Sequence, residues 1–463
     1  MLTYSLTDEN CPLYEALYRH IREDILSRRL RPGEKLPSKR ALAVHLEVSK
    51  VTVEAAYGQL LAEGYIRAQE KVGYFVEALQ ESLPLPASQP LPIPPQAPTA
   101  YIADCTAGSI VSAFPFTVWA KLLREVMADY GAQLLQPLPP GGAAALRRAI
   151  AKNLYDFRSM SVSPEQILVG AGTDFLYNVL VQLLGRERHY AVENPGYGKI
   201  ASIYRAAGAV CCPAPMDDEG ILPEALENAD VVHISPSHHF PTGVVTPIRR
   251  RQALLEWANA KPGRYLIEDD YDSEFRFTGR PIPTLQSIDQ NGKVIYINTF
   301  SRTIGPAMRI GYLVLPEVLL GRFRENLGFY ACTAPSFEQY TLARFLDEGY
   351  FEKHINRMRK FYRTQRNEIV HALESAGFAG RITILEKDAG LHFLLRVETE
   401  KSDDELINLC ARAGIHIRCL ADYYDGNAPS QTRRTLVVNY SGVSGENAKT
   451  AIANLEKLLL EET

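Results

Sequence analysis

The feature that most constrains this chain is a proline-rich run that separates two regularly patterned regions. Residues 83–98 contain seven prolines. Because proline fixes its own φ angle and lacks a backbone N–H, such a run favours an extended, semi-rigid spacer over a helix or a central strand. It could instead be a ligand for a proline-binding module, but its position favours a linker. We therefore predict one domain at residues 1–78, a linker at 79–100 and a second domain at 101–463.

Composition limits the class of protein. At 463 residues, with 46% apolar and 22% charged residues, the chain is expected to be a soluble protein of two or three domains. No apolar run reaches membrane-spanning length and the first residues resemble no signal peptide, so we expect a cytoplasmic protein without a membrane partner. The seven cysteines are scattered without CxxC spacing, which predicts reduced thiols rather than disulfides or a metal site.

The first region has the pattern of a small helical domain with a hairpin. Apolar residues recur at every fourth position, as in an amphipathic helix, at Leu13, Leu17, Ile21 and Ile25. Ser38 and Ser49 can each cap a following helix. The helix after the second of these serines is expected to bury Val53, Ala56, Tyr57, Leu60 and Leu61. Residues 65–68 and 73–76 alternate like two strands around a short tip, which completes the pattern of a winged helix-turn-helix.

Charge in this region is concentrated at one edge. The whole chain has a net charge of −4, so no global field attracts nucleic acid. From Arg28 to Lys50, however, there are seven basic and two acidic residues, whereas residues 1–78 contain eleven of each. A neutral domain with a basic edge fits the docking of one face on DNA better than nonspecific coating.

Two segments of this region resemble a known DNA-binding family. Residues 36–43 and 48–65 resemble the GntR-type winged helix, which implies binding to a double-stranded DNA operator. The starts of two helices offer backbone N–H groups to DNA phosphates. We expect DNA contacts from Ser38, Lys39, Arg40, Ser49, Lys50, Thr52 and, at the wing, Lys71. Each of these residues alone is also compatible with an ordinary surface position, and some winged helices bind proteins instead.

The second region alternates strands and helices, which predicts an α/β fold with a mainly parallel sheet. Short apolar runs typical of buried strands occur at residues 167–169, 231–234, 265–267, 294–297 and 312–315. A helix with an apolar face follows the first of these runs, after a Gly-Thr-Asp turn. Residues 355–463 alternate again and are expected to form a smaller C-terminal subdomain.

Residues 298–312 resemble the segment of fold-type I aminotransferases whose lysine holds pyridoxal phosphate as a Schiff base. Together with the GntR-type head and the linker, the order of motifs resembles the MocR family of bacterial transcription regulators across essentially the whole chain. The resemblance implies a winged helix joined to an aminotransferase-like effector domain of fold-type I, with a mixed, mainly parallel sheet. It also implies pyridoxal 5'-phosphate as a ligand, a small-molecule effector and a head-to-tail homodimer.

The resemblance assigns a role to each cofactor contact. The phosphate would be bound by Gly172, Thr173, Asp174, Ser301 and Arg309. Tyr197 would stack on the ring, Asp269 would pair with the ring nitrogen, and Tyr271 would contact the ring hydroxyl. Arg434, or the neighbouring Arg433, would bind a carboxylate of the effector.

The position of the cofactor lysine holds a different residue. Arg302 stands where the family has its lysine. A Schiff base needs a neutral primary amine, and a guanidinium effectively never deprotonates in a protein. We therefore expect no catalytic residue, and a transcription regulator that binds the cofactor without a covalent bond. The alternatives are a collapsed site in which Arg302 pairs with Asp269, and an active aminotransferase that uses a relocated lysine such as Lys199.

Overall fold

The computed structural model of the protein describes residues 2–4, 6, 11–79, 101–106, 114–277, 282–386 and 390–461. Contacts divide the chain into two compact units, residues 1–97 and 98–463. The predicted linker lies outside the described residues, apart from Leu79. Within the described ranges, no helix is both long and apolar enough to cross a membrane.

The first unit is a winged helix-turn-helix, as the sequence predicts. Its elements are α1 (Leu13–Leu26), α2 (Lys39–His45), α3 (Lys50–Ala62), β1 (Ile66–Gln69) and β2 (Gly73–Val76). The two strands form an antiparallel hairpin. Ser38 caps α2 by accepting a hydrogen bond from the N–H of Ala41 at 3.2 Å. Ser49 caps α3 in the same way, from the N–H of Thr52 at 3.1 Å, so both predicted caps are confirmed.

The three helices and the hairpin enclose an apolar core. Its buried members include Leu17, Ile21, Leu42, Val53, Tyr57, Leu60 and Val76. The burial predicted for α3 is wrong for Leu61, which is 41% exposed. Because successive residues are separated by about 100° around a helix, Leu61 points away from the core that Leu60 faces.

The second unit begins with a large α/β region. In chain order its elements are β3 (Ala103–Asp104), α4 (Phe116–Tyr130), α5 (Ala144–Arg158), β4 (Ile167–Gly170), α6 (Thr173–Leu184), β5 (His189–Asn194), α7 (Gly198–Ala206), β6 (Val210–Asp217), β7 (Gly220–Ile221), β8 (Val231–Ile234), α8 (Ile248–Asn259), β9 (Tyr265–Asp269), α9 (Leu285–Ile288), β10 (Val294–Thr299), β11 (Gly311–Val314), α10 (Glu317–Leu327) and α11 (Ser336–Asp347).

An eight-stranded sheet forms the centre of this region, in the order β4-β11-β10-β9-β8-β5-β6-β7. The pairs from β10 to β6 are parallel, whereas β11 is antiparallel to both of its neighbours and β7 is antiparallel to β6. The sheet is therefore mixed and mainly parallel, as predicted. The carboxyl ends of its parallel strands share one edge, which is where ligands bind in folds of this kind.

The C-terminal part of the unit forms a smaller subdomain. Its elements are α12 (Tyr350–Ser375), β12 (Ile382–Leu385), β13 (His392–Val397), α13 (Asp403–Arg412), β14 (Ile415–His416), β15 (Arg418–Cys419), β16 (Thr435–Asn439) and α14 (Gly445–Glu461). An antiparallel sheet in the order β12-β13-β16-β15 shares one apolar core with α12 and α14. Strand β3 pairs with β14, so residues 103–104 join this subdomain rather than the large sheet.

A buried glutamate connects two strands at the ligand-binding edge of the large sheet. Glu193 lies in β5, and its Oε2 accepts a hydrogen bond at 2.9 Å from the backbone N–H of Ser235, just after β8. Burial raises the pKa of Glu193 to about 8, because a charged carboxylate loses its hydration there. The folded chain therefore keeps a proton on Glu193 at pH values where the unfolded chain releases it.

We predict that wild-type stability falls, relative to a Glu193→Gln variant, as the pH rises from about 4.5 to about 8. The contribution of the neutral carboxyl is fully present below the unfolded pKa and is lost as the pH passes through the folded pKa. The difference in free energy of unfolding should change by up to ~1.4 kcal/mol per pH unit. Thermal unfolding of both proteins across this range measures it, and a pH-independent difference would contradict the prediction.

Candidate cofactor site and DNA-binding surface

Four residues predicted to bind phosphate come together at the start of α6. Gly172 precedes this helix with a φ of +83°, a left-handed conformation that favours glycine. Thr173 and Asp174 form the first turn, and a guanidinium nitrogen of Arg309 lies 3.1 Å from the Asp174 carboxylate. A Cβ atom on Gly172 would lie 2.9 Å from that nitrogen, so the close approach of Arg309 suits a glycine. The helix N-terminus and the arginine together favour an anion.

The Asp174 carboxylate pairs with two cationic side chains at the start of α6. Lys199 Nζ lies 2.7 Å from its carboxylate, in addition to Arg309. Partial burial by itself would raise the pKa of Asp174, but the hydrogen bonds and charges of Lys199 and Arg309 lower it overall. Ser301 follows β10, and its N–H donates to Thr299 Oγ1 at 3.1 Å. Lys199, which the sequence offered as a relocated cofactor lysine, is thus ion-paired with Asp174 at the start of α6.

The ring end is built around Asp269, which ends β9 and is only 5% exposed. Its Oδ2 accepts a hydrogen bond from the Tyr177 hydroxyl at 2.6 Å and lies 3.3 Å from His233 Nε2. Because a carboxylate only accepts, Nε2 of His233 carries the proton, and its Nδ1 accepts from the Tyr204 hydroxyl at 2.7 Å. The other oxygen of Asp269, Oδ1, has no hydrogen-bond partner among the described residues. A buried carboxylate oxygen without a donor fits a cationic N–H such as that of a protonated pyridine.

Sequence reasoning missed the two residues that hold Asp269. Tyr177 lies on the apolar face of α6, and His233 lies within the buried strand β8. A polar group inside a buried stretch needs a hydrogen-bond partner. Tyr177 and His233, as polar residues in otherwise apolar stretches, could therefore have been recognised from the sequence as candidates for a buried polar contact. The sequence could not show that both point to the same carboxylate, because the three residues are far apart along the chain.

Tyr271, the predicted contact of the ring hydroxyl, lies in a charged environment. Its own hydroxyl is 3.3 Å from His238 Nδ1, which is also 2.9 Å from Asp272 Oδ2. Burial and the Asp272 charge raise the pKa of Tyr271, and the charge of Arg302 opposes them. The pKa of His392 is lowered mainly by burial, with smaller contributions from the charges of His238, His239 and Arg302.

Arg302 does not pair with Asp269. Its guanidinium has no hydrogen bond or ion pair within the part of the chain that the structure describes. Asp269 is held by Tyr177 and His233 instead. Among the described residues, the pairing that the collapsed-site alternative required is absent, and one Asp269 oxygen has no donor.

The predicted stacking residue lies at the seam between the large region and the C-terminal subdomain. Tyr197 is 49% exposed, and its ring is perpendicular to that of Phe240 at a centroid distance of 6.1 Å. Phe240 also contacts the rings of Tyr423, at 5.2 Å, and His392, at 5.1 Å, both in the C-terminal subdomain. The N–H of Gly196 donates to the carbonyl oxygen of Tyr423 at 3.0 Å. Tyr197 therefore has a free ring face next to a contact between the subdomains.

Arg434, predicted to bind an effector carboxylate, lies just before β16. Its guanidinium donates to the carbonyl oxygens of Lys401, at 3.1 Å, and Glu400, at 3.5 Å. Asn439, at the other end of that strand, pairs with His392. The effector contact of Arg434 stays a prediction.

The predicted DNA contacts lie on the surface of the winged helix. Those that are exposed are Ser38, Arg40, Ser49, Lys50 and Lys71. Lys71 lies at the tip of the hairpin with a φ of +61°. Thr52 is partly buried, and its hydroxyl is 2.8 Å from that of Ser49. The exposed residues are available to phosphates or base edges.

Lys39 is the exception among these residues. Its Nζ lies 2.7 Å from the Glu54 carboxylate and 5.3 Å from the centre of the Tyr74 ring. The hydrogen bond and charge of Lys39 lower the pKa of Glu54. Lys39 therefore connects α2 to α3 and β2, and a DNA contact from Lys39 would have to use its remaining N–H donors or break this ion pair.

Two family matches cover most of the chain. Residues 13–76 match the family described as bacterial regulatory proteins of the gntR family. Residues 110–454 match the family described as aminotransferase class I and II. The matched ranges correspond to the winged helix and to the α/β unit with its C-terminal subdomain.

Curated relatives share both parts. The chain is 36% identical to the HTH-type transcriptional regulator YdeL of Bacillus subtilis, over 96% of each chain. It is 31% identical to the probable rhizopine catabolism regulatory protein MocR of Rhizobium meliloti, over 98% of this chain and 95% of that protein. It is 30% identical to the pyridoxine biosynthesis regulator PdxR of Corynebacterium glutamicum, over 89% and 88%.

Solved structures with the same fold are aminotransferases. An archaeal alanine:glyoxylate aminotransferase is 24% identical, with a TM-score of 0.69 over 78% of this chain and 91% of that chain. A kynurenine aminotransferase of Pyrococcus horikoshii is 25% identical, with a TM-score of 0.67 over 79% and 92%. The chain therefore belongs to the MocR-type regulators of the gntR family: it is a DNA-binding transcription regulator with an aminotransferase-like domain.

Proposed function

We propose that the aminotransferase-like domain senses pyridoxal 5'-phosphate, or a related phosphorylated pyridine, without a covalent bond to the protein. The observation that carries this proposal is the free oxygen of Asp269, which is buried and has no donor among the described residues. In enzymes of this fold the bound cofactor supplies an electron sink for chemistry on amino compounds. Here the same pocket would report the presence of the ligand to the DNA-binding head.

The side chains around the site fit such a ligand from end to end. The start of α6 and Arg309 favour a phosphate. The free face of Tyr197 can stack on a ring, and Asp269 can hold the ring nitrogen protonated. Burial and the Asp269 charge raise the pKa of Tyr177, so its hydroxyl remains a donor that keeps Asp269 in place.

The same residues argue against catalysis. Arg302 cannot provide the neutral amine that a Schiff base and a proton shuttle require. Lys199, the substitute considered from the sequence, is bound to Asp174 at the phosphate end. Both features support a binding function over amino-group transfer.

Contacts between the subdomains offer a route for the signal. The side-chain oxygen of Asn194 accepts from the N–H of Asp425 at 2.9 Å, and the Asp425 carboxylate binds Arg205. These contacts lie beside Tyr197, so a ligand that stacks on its ring would favour one packing of the C-terminal subdomain. In a head-to-tail homodimer, as in the family, such a change would alter how the two heads meet the operator. A ligand can change DNA binding only by as much free energy as separates its binding to the two packings of the C-terminal subdomain.

We predict that Asp269→Asn weakens binding of pyridoxamine 5'-phosphate at least tenfold, because an amide cannot compensate a protonated ring nitrogen. Pyridoxamine phosphate has no aldehyde, so its affinity reports noncovalent binding only. Titration calorimetry on the full-length protein measures the dissociation constant. Asp218→Asn, at an exposed acid, is the matched control and should leave the affinity unchanged. Equal affinity in the wild type and the Asp269 variant would contradict the role given to Asp269.

We predict that Arg302→Lys converts noncovalent binding of pyridoxal phosphate into covalent binding. The variant places a primary amine where the family has one, beside phosphate and ring contacts that are unchanged. The measurement is visible absorbance of the dialysed protein, which should persist in the variant and be absent from the wild type. Failure of this variant to take up pyridoxal phosphate would favour the alternative that the pocket no longer accommodates the cofactor.

We predict that Arg40→Ala and Lys50→Ala each weaken DNA binding, because both side chains are exposed on the winged helix. The logarithm of the DNA-binding constant falls linearly with the logarithm of the salt concentration. Loss of one phosphate contact should also make that slope shallower by about one. Fluorescence anisotropy with a duplex selected from a random library by the wild-type protein measures both. Arg148→Ala, at an exposed arginine of the second unit, serves as the control. Unchanged affinity and slope in both head variants would refute this DNA-binding surface.

A further inference from the structure

We infer that His238, Asp272 and His392 form a site for a divalent transition-metal ion of the zinc class. One ligand atom from each of the three side chains lies within 4.8 Å of the other two. All three side chains are buried, at 5%, 2% and 2% exposure. Two imidazoles and a carboxylate are the ligand types that Zn²⁺ and its neighbours in the first transition row prefer.

One nitrogen on each histidine ring can bind a metal ion together with Asp272. His392 Nε2 lies 3.1 Å from the carbonyl oxygen of Pro241, which only accepts, so Nε2 carries the proton and Nδ1 has the lone pair. His238 Nδ1 lies 2.9 Å from the Asp272 carboxylate, so an ion bound to both would replace the proton that they share. His238 Nε2, on the other side of the ring, would then carry the proton.

His392 has the arrangement that metal-binding histidines show in proteins. Such histidines usually donate their second N–H to a carboxylate or a backbone carbonyl, which fixes the ring orientation and the tautomer. Here the Pro241 carbonyl fills that role.

The local charge is compatible with a dication. Asp272 contributes a carboxylate to the cluster itself, and a negative ligand offsets part of the charge of the ion. Loss of either histidine should weaken metal binding, because it removes one of the three side-chain ligands.

A cleft gives an ion access to the cluster. It is lined by His238 and Asp272 together with Ser237, Ser273 and Gly390. The cluster is also next to the proposed cofactor site, because the Tyr271 hydroxyl lies 3.3 Å from His238 Nδ1. A bound ion would thus hold the residue predicted to contact the ring hydroxyl. The sequence predicted no metal site, because the three residues are widely separated and form no short motif.

Titration of the full-length protein with Zn²⁺, and with Co²⁺ as a spectroscopic probe, tests this site. We expect one ion per chain, and at least tenfold weaker binding in His238→Gln and in His392→Gln. His371→Gln, at an exposed histidine of α12, is the matched control and should bind like the wild type. Absence of stoichiometric binding, or binding that neither cluster histidine affects, would overturn the inference.

The Co²⁺ spectrum keeps the test decisive if a histidine variant does not fold. Nitrogen and oxygen ligands give weak ligand-field bands, whereas cysteine thiolates add an intense charge-transfer band. We expect the former in the wild type. An intense thiolate band would show that the ion binds at a cysteine instead, such as the exposed Cys212, and would reject the proposed site. Neither outcome depends on pyridoxal phosphate, so this inference and the proposed function can fail separately.

Discussion

The structure of the site depends on how one carboxylate is held. Asp269 ends β9 at the edge where the parallel strands finish, and Tyr177 and His233 fix one of its oxygens from α6 and β8. Three elements of the sheet region thus fix a single side chain, while its second oxygen has no donor among the described residues. A buried charge in this state is unfavourable unless a partner arrives. A domain built around such a group is suited to binding a cationic ring.

Arg302 separates binding from catalysis in this pocket. The phosphate end, the ring-nitrogen contact and the stacking face all have side chains that suit a phosphorylated pyridine. The position that would form a covalent bond carries a permanent charge instead. Arg302 does not pair with Asp269 among the described residues, so the carboxylate remains available to the ligand that we propose.

Most of the fold could be predicted from the sequence, and the errors have physical causes. Short continuous apolar runs located five of the eight strands of the large sheet because those strands are buried on both faces, and two serines located helix starts through their caps. Pairings across the chain could not be predicted. The ion pair of Lys39 with Glu54 depends on how α2 packs on α3, and the hydrogen bonds of Arg434 to the carbonyls of Lys401 and Glu400 join residues that are far apart along the chain. The same limit hid the partners of Asp269.

The most direct test of the account is a mass measurement on the wild-type protein. Full-length protein is saturated with pyridoxal phosphate, treated with borohydride, denatured and weighed intact. The account predicts saturable binding, detected by calorimetry before reduction, and an unchanged protein mass afterwards. A gain of one phosphopyridoxyl group on a single lysine would contradict it, because the ligand would then have been covalently attached despite Arg302.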